Sequence, residues 1–472
     1  LQKLQDLYHY PIAEDFMPNR LLPFSKTALL FSLAIAGLTP CLVTAQSAGT
    51  ARVAAPSEQN IADAYVYLLG RVLVIRQEHT DLKEPGIHFN MIKYNPLGSA
   101  DFVNPNLDVA YLEAWFAVDD KTPVILEVPK IEGRYYTAQI LDEWGEVIAN
   151  INERTFPSKP YGKFALLKPG STAKTPKDAA RIELHSSKAK MLARVELKGD
   201  PDGAVKLQKQ FKVTAMGKPV IKPAPPLPAF SNKDLIGVAI FDDVDTKLNS
   251  ALDVSPVAAA MQQKVRAVAA YVATGPEARN EVEQKIRSKV LPEFIEYAQS
   301  KAAPYVNNWL GGGDGHSSVG NYGAEYRVRT TANLSGIWAN SPGEAIYFLG
   351  GRDAQGQPLN GSQSYVIDFA PGSLPEDVVN AYWSIILLSV PDYRVVPNAQ
   401  KRYNLNNHSP LKKEANGGLK IAVGPQPVAG VAESNWLPSR AGEPFSLTLR
   451  TYVPKDIVLK GGWHPPAITP VK

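Results

Sequence analysis

Residues 103–118 read VNPNLDVAYLEAWFAV. The second half is a run of Val, Ala, Leu and aromatics, the composition of a strand buried on a pleated surface. Two polar residues, Asn106 and Asp108, stand where that strand begins. Asn106 suits an Asx-turn that feeds the strand. Asp108 either pairs within the protein or faces a ligand. Outward from this stretch the pattern predicts a meander. A strand over 109–118 is followed by the polar turn Asp119-Asp120-Lys121-Thr122 and a second strand over 123–128. A turn at Glu132-Gly133 then leads into a third strand, RYYTAQIL, from Arg134. Short strands joined by short polar turns pair antiparallel, because parallel neighbours need a long crossover.

Alternation along the third strand puts Arg134, Tyr136, Ala138, Ile140 and Asp142 on one face. Arg134 and Asp142 therefore bracket an apolar strip, and Asp108 approaches one of its ends. A guanidinium facing a carboxylate makes a structural clamp, and equally an anion or sugar binder. Two carboxylates within reach of each other, Asp108 and Asp142, would suit acid–base work on a glycosidic bond.

The 472 residues are enough for two or three domains, and 39 prolines favour strands and loops over long helices. Lys and Arg total 50 against 46 for Asp and Glu, a net charge of +4. No basic run interleaved with aromatics accompanies that balance, so nucleic acid is not expected as a partner. From Met17 the chain reads MPNRLLPFSKTALLFSLAIAGLTPCLVTAQSA. Basic residues, a short apolar core and small residues at a cleavage position make the pattern of a signal peptide over 17–45, cleaved near Ala45. Residues 1–16 then precede the structured protein. The mature chain is expected to be periplasmic or secreted, with no integral membrane segment. Cleavage also removes Cys41, the only cysteine, and with it disulfides, thiol nucleophiles and Cys-ligated metals.

Ile61, Tyr65, Leu68, Leu69, Val72 and Leu73 recur at helical spacing after Ser57 and Asn60, which predicts a helix to about Gln77. Further strands are expected at 163–167, 180–185, 191–197 and 211–213, giving a first β-domain over 58–216 with that helix at its head. A Pro-rich connector covers 217–254. A helical segment follows over 255–310, broken at Gly275-Pro276 and kinked at Pro292. A second β-domain occupies 311–472, where strand-like runs alternate with Gly, Asn, Asp and Pro clusters.

Familiar catalytic signatures are missing: there is no GxSxG, no Walker loop and no HExxH. The six histidines of the mature chain stand apart, no carboxylate-rich loop has cation-site spacing, and no metal or cofactor is expected. Two SxxK matches lack companion motifs, and the glycine run at 311–315 lacks dinucleotide spacing. Aromatics with neighbouring Asn and Arg suit a carbohydrate or aromatic ligand, and equally a sandwich core. They are Tyr322 and Arg329 in NYGAEYRVRT, Trp383 in NAYWSI, and Asn435 and Trp436 in SNWLP.

PNLDVAY, VPKIEGRYYTAQILDEW and NERT resemble the family designated domain of unknown function 1254. GNYGAEYRVRT, IWANSPGEAIYF, DAQGQPLNGSQSYVIDFAPGSLP, AYWSI, SNWLPS and LRTYVP with GGWHPP resemble its usual partner, domain of unknown function 1214. The resemblance spans about residues 60–468. It implies a helical subdomain with two β-sandwich-like parts, often exported from bacteria, and it supplies no reaction. The recurrent blocks hold Asn106, Asp108, Tyr111, Arg134, Tyr135, Tyr136, Asp142, Tyr322, Arg329, Trp383, Asn435, Trp436 and Arg450. One departure stands beside Asp108, where Val109 replaces the Thr usual in the family.

The sequence thus predicts a multidomain α+β protein, mainly β, with two antiparallel sandwich-like domains and a smaller helical subdomain. Its expected function is ligand binding, with hydrolysis a further option, in a polar-aromatic cleft. Asp108 and Asp142 are the acid–base candidates. Asn106, Tyr111, Arg134, Tyr136, Tyr322, Arg329, Trp383, Asn435 and Trp436 would hold a small or oligomeric ligand. The alternative is a non-catalytic envelope or assembly protein, and a homo-oligomer is compatible with either.

Overall fold

Ser57 opens the first helix, α1 (Glu58–Leu82), by accepting a hydrogen bond from the Asn60 amide at 3.2 Å. The computed structural model describes residues 53–98, 103–314 and 317–471. The signal-like stretch 17–45 with Cys41, residues 1–16 and His316 lie outside the described residues. Nine strands and one short helix follow α1: β1 (Lys93–Tyr94), β2 (Val109–Ala117), β3 (Val124–Val128), β4 (Tyr136–Leu141), β5 (Val147–Ile151), β6 (Gly162–Leu167), β7 (Ala179–Glu183), β8 (Lys188–Glu196), α2 (Pro201–Gln208) and β9 (Lys212–Ala215). They form two sheets, ordered β1-β2-β8-β4-β5 and β7-β6-β3-β9. Ala110, Leu112 and Phe116 of β2 meet Leu126, Phe164 and Leu166 in the core between the sheets.

The expected meander does not form. β2 and β4 each pair with β8, and β3 belongs to the opposite sheet. The reason is the burial of β2 along its whole length. One face fills the sandwich core, while Val109, Tyr111 and Trp115 on the other meet residues of the second β-domain. Such a strand needs a central place, and β8, a nine-residue strand buried throughout, supplies the neighbour. The short turns therefore carry the chain between sheets instead of along one. α2 also went unread, although Asp200 caps it by accepting from Gly203 N and Pro201 occupies its first turn.

Beyond the extended connector come α3 (Val244–Leu248), α4 (Ala258–Val272), α5 (Pro276–Lys285) and α6 (Leu291–Ser300). A π-helical turn, Ile286–Val290, joins α5 to α6. It lies directly before Pro292, which has no N–H to continue the α pattern. Ile61, Tyr65, Leu68 and Val72 of α1 pack with Met261, Val265 and Val268 of α4 and with Ile286 and Phe294.

The remaining elements are β10 (Tyr305–Val306), β11 (Trp309–Gly311), α7 (Tyr326–Ser335), β12 (Ala345–Gly350), β13 (Tyr365–Phe369), β14 (Trp383–Ser389), β15 (Asn404–Asn406), β16 (Leu419–Gly424), β17 (Trp436–Pro438), β18 (Phe445–Tyr452), α8 (Asp456–Leu459) and β19 (Thr469–Pro470). Sheets β10-β11-β12-β18-β14-β15 and β17-β16-β13-β19 enclose Phe348, Ile367, Trp383, Ile385, Ile421 and Leu449. Two strand pairs, β6–β7 and β16–β17, are parallel, so these sheets are mixed. The architecture is the expected one, mainly β with a helical part. Helix α7 lies against α1 at Gly70, where a Cβ would stand 2.6 Å from Thr330 Oγ1. Among the described residues no helix is long and apolar enough to cross a membrane.

Candidate functional site

The stretch that opens β2 lies on the seam between the two β-domains. Asp108 Oδ1 accepts from Asn404 Nδ2 at 2.6 Å and from Asn406 Nδ2, both on β15. Asn106 Oδ1 accepts from the Asp108 amide, the expected Asx-turn, while its Nδ2 donates to the Tyr382 hydroxyl at 2.7 Å. Arg450 of β18 donates back to the Asn104 and Pro105 carbonyls and to Asn104 Oδ1. Arg154 bridges to Glu344 at 2.7 Å, and Tyr135 donates to the same carboxylate. Tyr382 and Tyr452 stack at 4.4 Å with Tyr135 edge-on to both. Asp108 is 5 % exposed, and burial pushes its carboxyl up; hydrogen bonds from Asn406, Ser384 and Asn404 and the Arg450 charge oppose the shift.

A cavity of about 130 Å³ opens in this seam. Tyr111 and Arg194 line it from the first β-domain, Ala332 and Ser335 from α7, and Tyr347, Arg450 and Tyr452 from β12 and β18. The loop 336–342 closes one side with Gly336, Ile337 and Trp338. Trp338 holds φ at +64°, a strained backbone for a bulky residue, and turns edge-on to Trp115 at 5.7 Å.

Arg194, Arg450 and Trp338 bring groups that only donate to this cavity, beside Asn, Ser, Thr and Tyr side chains that both donate and accept. Arg194 gives hydrogen bonds only to neutral oxygens: Gln139 Oε1 at 2.6 Å, Asn340 Oδ1 and Trp338 O at 3.2 Å, and Leu192 O at 3.4 Å. It lies 5.6 Å from the centre of the Tyr111 ring. Among the described residues, Arg194 Nε, Arg450 Nη1 and Trp338 Nε1 are buried without a hydrogen-bond partner. Among the described residues no carboxylate lines the cavity.

The other anticipated residues fall elsewhere. Asp142 ends β4 beside the start of β8, whereas Asp108 lies beside Leu197 just past its other end. Eight residues of β8 at 3.3 Å each separate the two carboxylates by about 25 Å. They cannot act on one bond, so the paired acid–base expectation is corrected. Asp142 Oδ1 instead accepts from Trp144 N and Glu146 N in a tight turn, and Oδ2 meets His185 Nδ1 at 2.7 Å. Arg134 bridges to Asp200 at 2.9 Å, beside an open cleft that also holds a Glu196–His408 contact of 3.3 Å. Tyr136 and Trp383 are core residues. Asn435 bonds the Lys412 and Lys420 backbones, and Trp436 Nε1 donates to Gly424 O.

Arg329, expected in a β-domain, lies on helix α7. It forks onto Asp253 at 3.0 and 2.9 Å and reaches Glu146 at 3.3 Å. The Tyr322 amide donates to Glu146 at 2.8 Å. Burial pushes the Glu146 carboxyl up to about 7, against the pull of Arg329. Of the anticipated ligand residues, only Asn106 and Tyr111 line the cavity. Arg194, Trp338, Tyr347 and Tyr452 were missed as site residues. A charge inside the apolar strand MLARVEL was the available signal for Arg194.

Two sandwiches clamped through polar side chains, with a cavity at their seam, define a two-domain β-protein with a helical buttress. Residues 87–215 match the model of a protein of unknown function (DUF1254), and residues 344–456 match that of a second (DUF1214). The chain carries these two domains in that order, as its motifs implied. The cavity draws on both domains and on the segment between them. The crystal structure of the VPA0106 protein from Vibrio parahaemolyticus is similar over 88% of this chain and 100% of its own, at 20% identity and a TM-score of 0.58. That likeness bears on the fold alone. An uncharacterized protein from Burkholderia cenocepacia covers 88% of this chain and 93% of its own, at 14% identity and a TM-score of 0.44. No curated protein matches the chain.

Proposed function

We propose that this is an exported binding protein that holds a small organic molecule in the cavity between its two β-domains. The observation that carries this reading is the lining of the cavity, where Arg194, Trp338 and Arg450 each keep a buried N–H without a partner among the described residues, beside Tyr111, Tyr347 and Tyr452. Leaving a buried donor unpaired costs about 1–3 kcal/mol, so a ligand that accepts from these groups recovers that loss. An apolar enclosure with a few converging polar groups is the usual form of a small-molecule site. The signal-like stretch 17–45 supports export.

A fragment screen by thermal unfolding tests the reading, because a ligand at a hundredfold its Kd stabilises by about 2.7 kcal/mol. The control is Gly336→Leu. Gly336 lines the cavity with φ at −164°, and a Cβ there meets nothing nearer than 3.9 Å. Fragments that stabilise the parent chain and fail on Gly336→Leu are expected. If every stabilising fragment acts equally on both chains, the cavity is not the site.

A further inference from the structure

We infer that the ligand carries an anionic head, a carboxylate, on an apolar body about the size of one ring. The inference rests on the reading of the cavity as a ligand site and concerns what that site selects. Two guanidinium groups line the cavity, 3 % and 1 % exposed, and neither makes an ion pair among the described residues. The other buried arginines among the described residues differ: Arg71 meets Glu143, and Arg329 meets Asp253 and Glu146. A buried cation normally has a hydrogen-bonded counter-charge, because desolvation otherwise outweighs what neutral dipoles return.

Carboxylates do stand nearby. Asp108 bears on Arg450 electrostatically without an ion pair; Asn404 and Asn406 hold its Oδ1, and its Oδ2 has no hydrogen-bond partner among the described residues. Glu344 is bound by Arg154, Tyr135 and Asn152. Glu196 accepts from the Tyr135 amide and meets His408. Among the side chains that line the cavity, Arg450, Arg194 and Trp338 each keep one buried N–H without a hydrogen-bond partner among the described residues, at Nη1, Nε and Nε1. These are three donors, and a carboxylate with two oxygens accepts from such a set better than a neutral carbonyl does. The body of the ligand is set by the walls. An apolar cavity of about 150 Å³ takes benzene, close to the 130 Å³ found here. Tyr111, Trp338, Tyr347 and Tyr452 offer ring faces and edges.

Benzoate and benzamide, matched in shape and different in charge, provide the test by titration calorimetry on the full chain. Benzoate is expected to bind at least tenfold more tightly than benzamide, and Gly336→Leu is expected to abolish both. Arg450→Met should remove the gap between the two probes. Circular dichroism checks that this variant folds. If it does not, Arg450→Lys, which keeps the charge and loses the fork, should weaken benzoate severalfold while sparing benzamide. Equal affinity for the two probes, or binding of benzamide alone, overturns the anionic head and leaves the cavity as a ligand site. Absence of binding by either probe and by every screened fragment overturns both readings. Benzoate binding that survives Gly336→Leu unchanged places the anion elsewhere and also overturns the inference.

Discussion

Asp108 is a clamp between domains. Alanine in its place leaves the side-chain amides of Asn404 and Asn406 without their shared acceptor inside the seam. Hydrogen bonds to a charged group contribute about 1.5–3 kcal/mol each, and relief of the carboxylate's burial offsets part of that. Asp108→Ala is therefore expected to lose roughly 2–4 kcal/mol in denaturant unfolding, and Asp108→Asn about half as much. A loss below 0.5 kcal/mol for the alanine variant would remove the clamp. Glu146 governs a pH effect of definite sign. Its carboxyl is raised from 4.5 to about 7 in the fold, so between those values the folded state holds more proton than the unfolded chain. Stability from this group then falls as pH rises, by up to about 1.4 kcal/mol per unit. Glu146→Gln should flatten the profile between pH 5 and 7; an unchanged slope would show that burial does not govern this carboxyl. The sequence carried the polar pair at the head of β2 but not its partners. Those partners lie nearly 300 positions away, and no local pattern encodes such a distance.

Helix α1 and strand β2 show how far local patterns reach at the scale of elements. The 3.6-residue spacing and the Ser57 cap were legible because both are written within a few positions. Strand existence was legible for the same reason, whereas strand neighbours were not, since β8 comes some 80 positions after β2 and completes its sheet. Helix α7 was read as part of a β-domain because its Tyr, Val, Thr and Asn lean away from helix propensity, and packing on α1 overrides them. The contact between these two helices decides a substitution that propensity alone would misjudge. Gly70→Ala gains about 1 kcal/mol of helix propensity. It also drives a methyl to 2.6 Å from Thr330 Oγ1, which is already bonded to Val66 O. Overpacking of this kind costs about 1–3 kcal/mol, so the variant is expected to melt below the parent. Its partner change, Thr330→Ala, should recover part of the loss in the double variant. A Gly70→Ala chain as stable as the parent would mean that α7 yields without strain.

For the whole molecule, a mainly β architecture with a helical part followed from strand-like runs and turn clusters, while the cavity did not. A cavity is a property of surfaces brought together from distant segments, and its chief cations, Arg194 and Arg450, stand 256 positions apart. The connector at 217–230 is mostly exposed and belongs to no sheet. What joins the parts is the shared core of Val74, Tyr111, Trp115, Trp338, Tyr382 and Tyr452, together with the packing of α1 on α4 and α7. The covalent link is thus dispensable once folding is complete. A protease that nicks the chain between 217 and 230 should yield two fragments that co-elute and unfold in one transition, and their separation on a sizing column under native conditions would refute this. The same property makes the protein divisible by design. Two polypeptides encoded separately, meeting through a tyrosine-lined seam, an aspartate held by two asparagines and the packing of α1 on α4 and α7, would reassemble the cavity without a peptide bond between them.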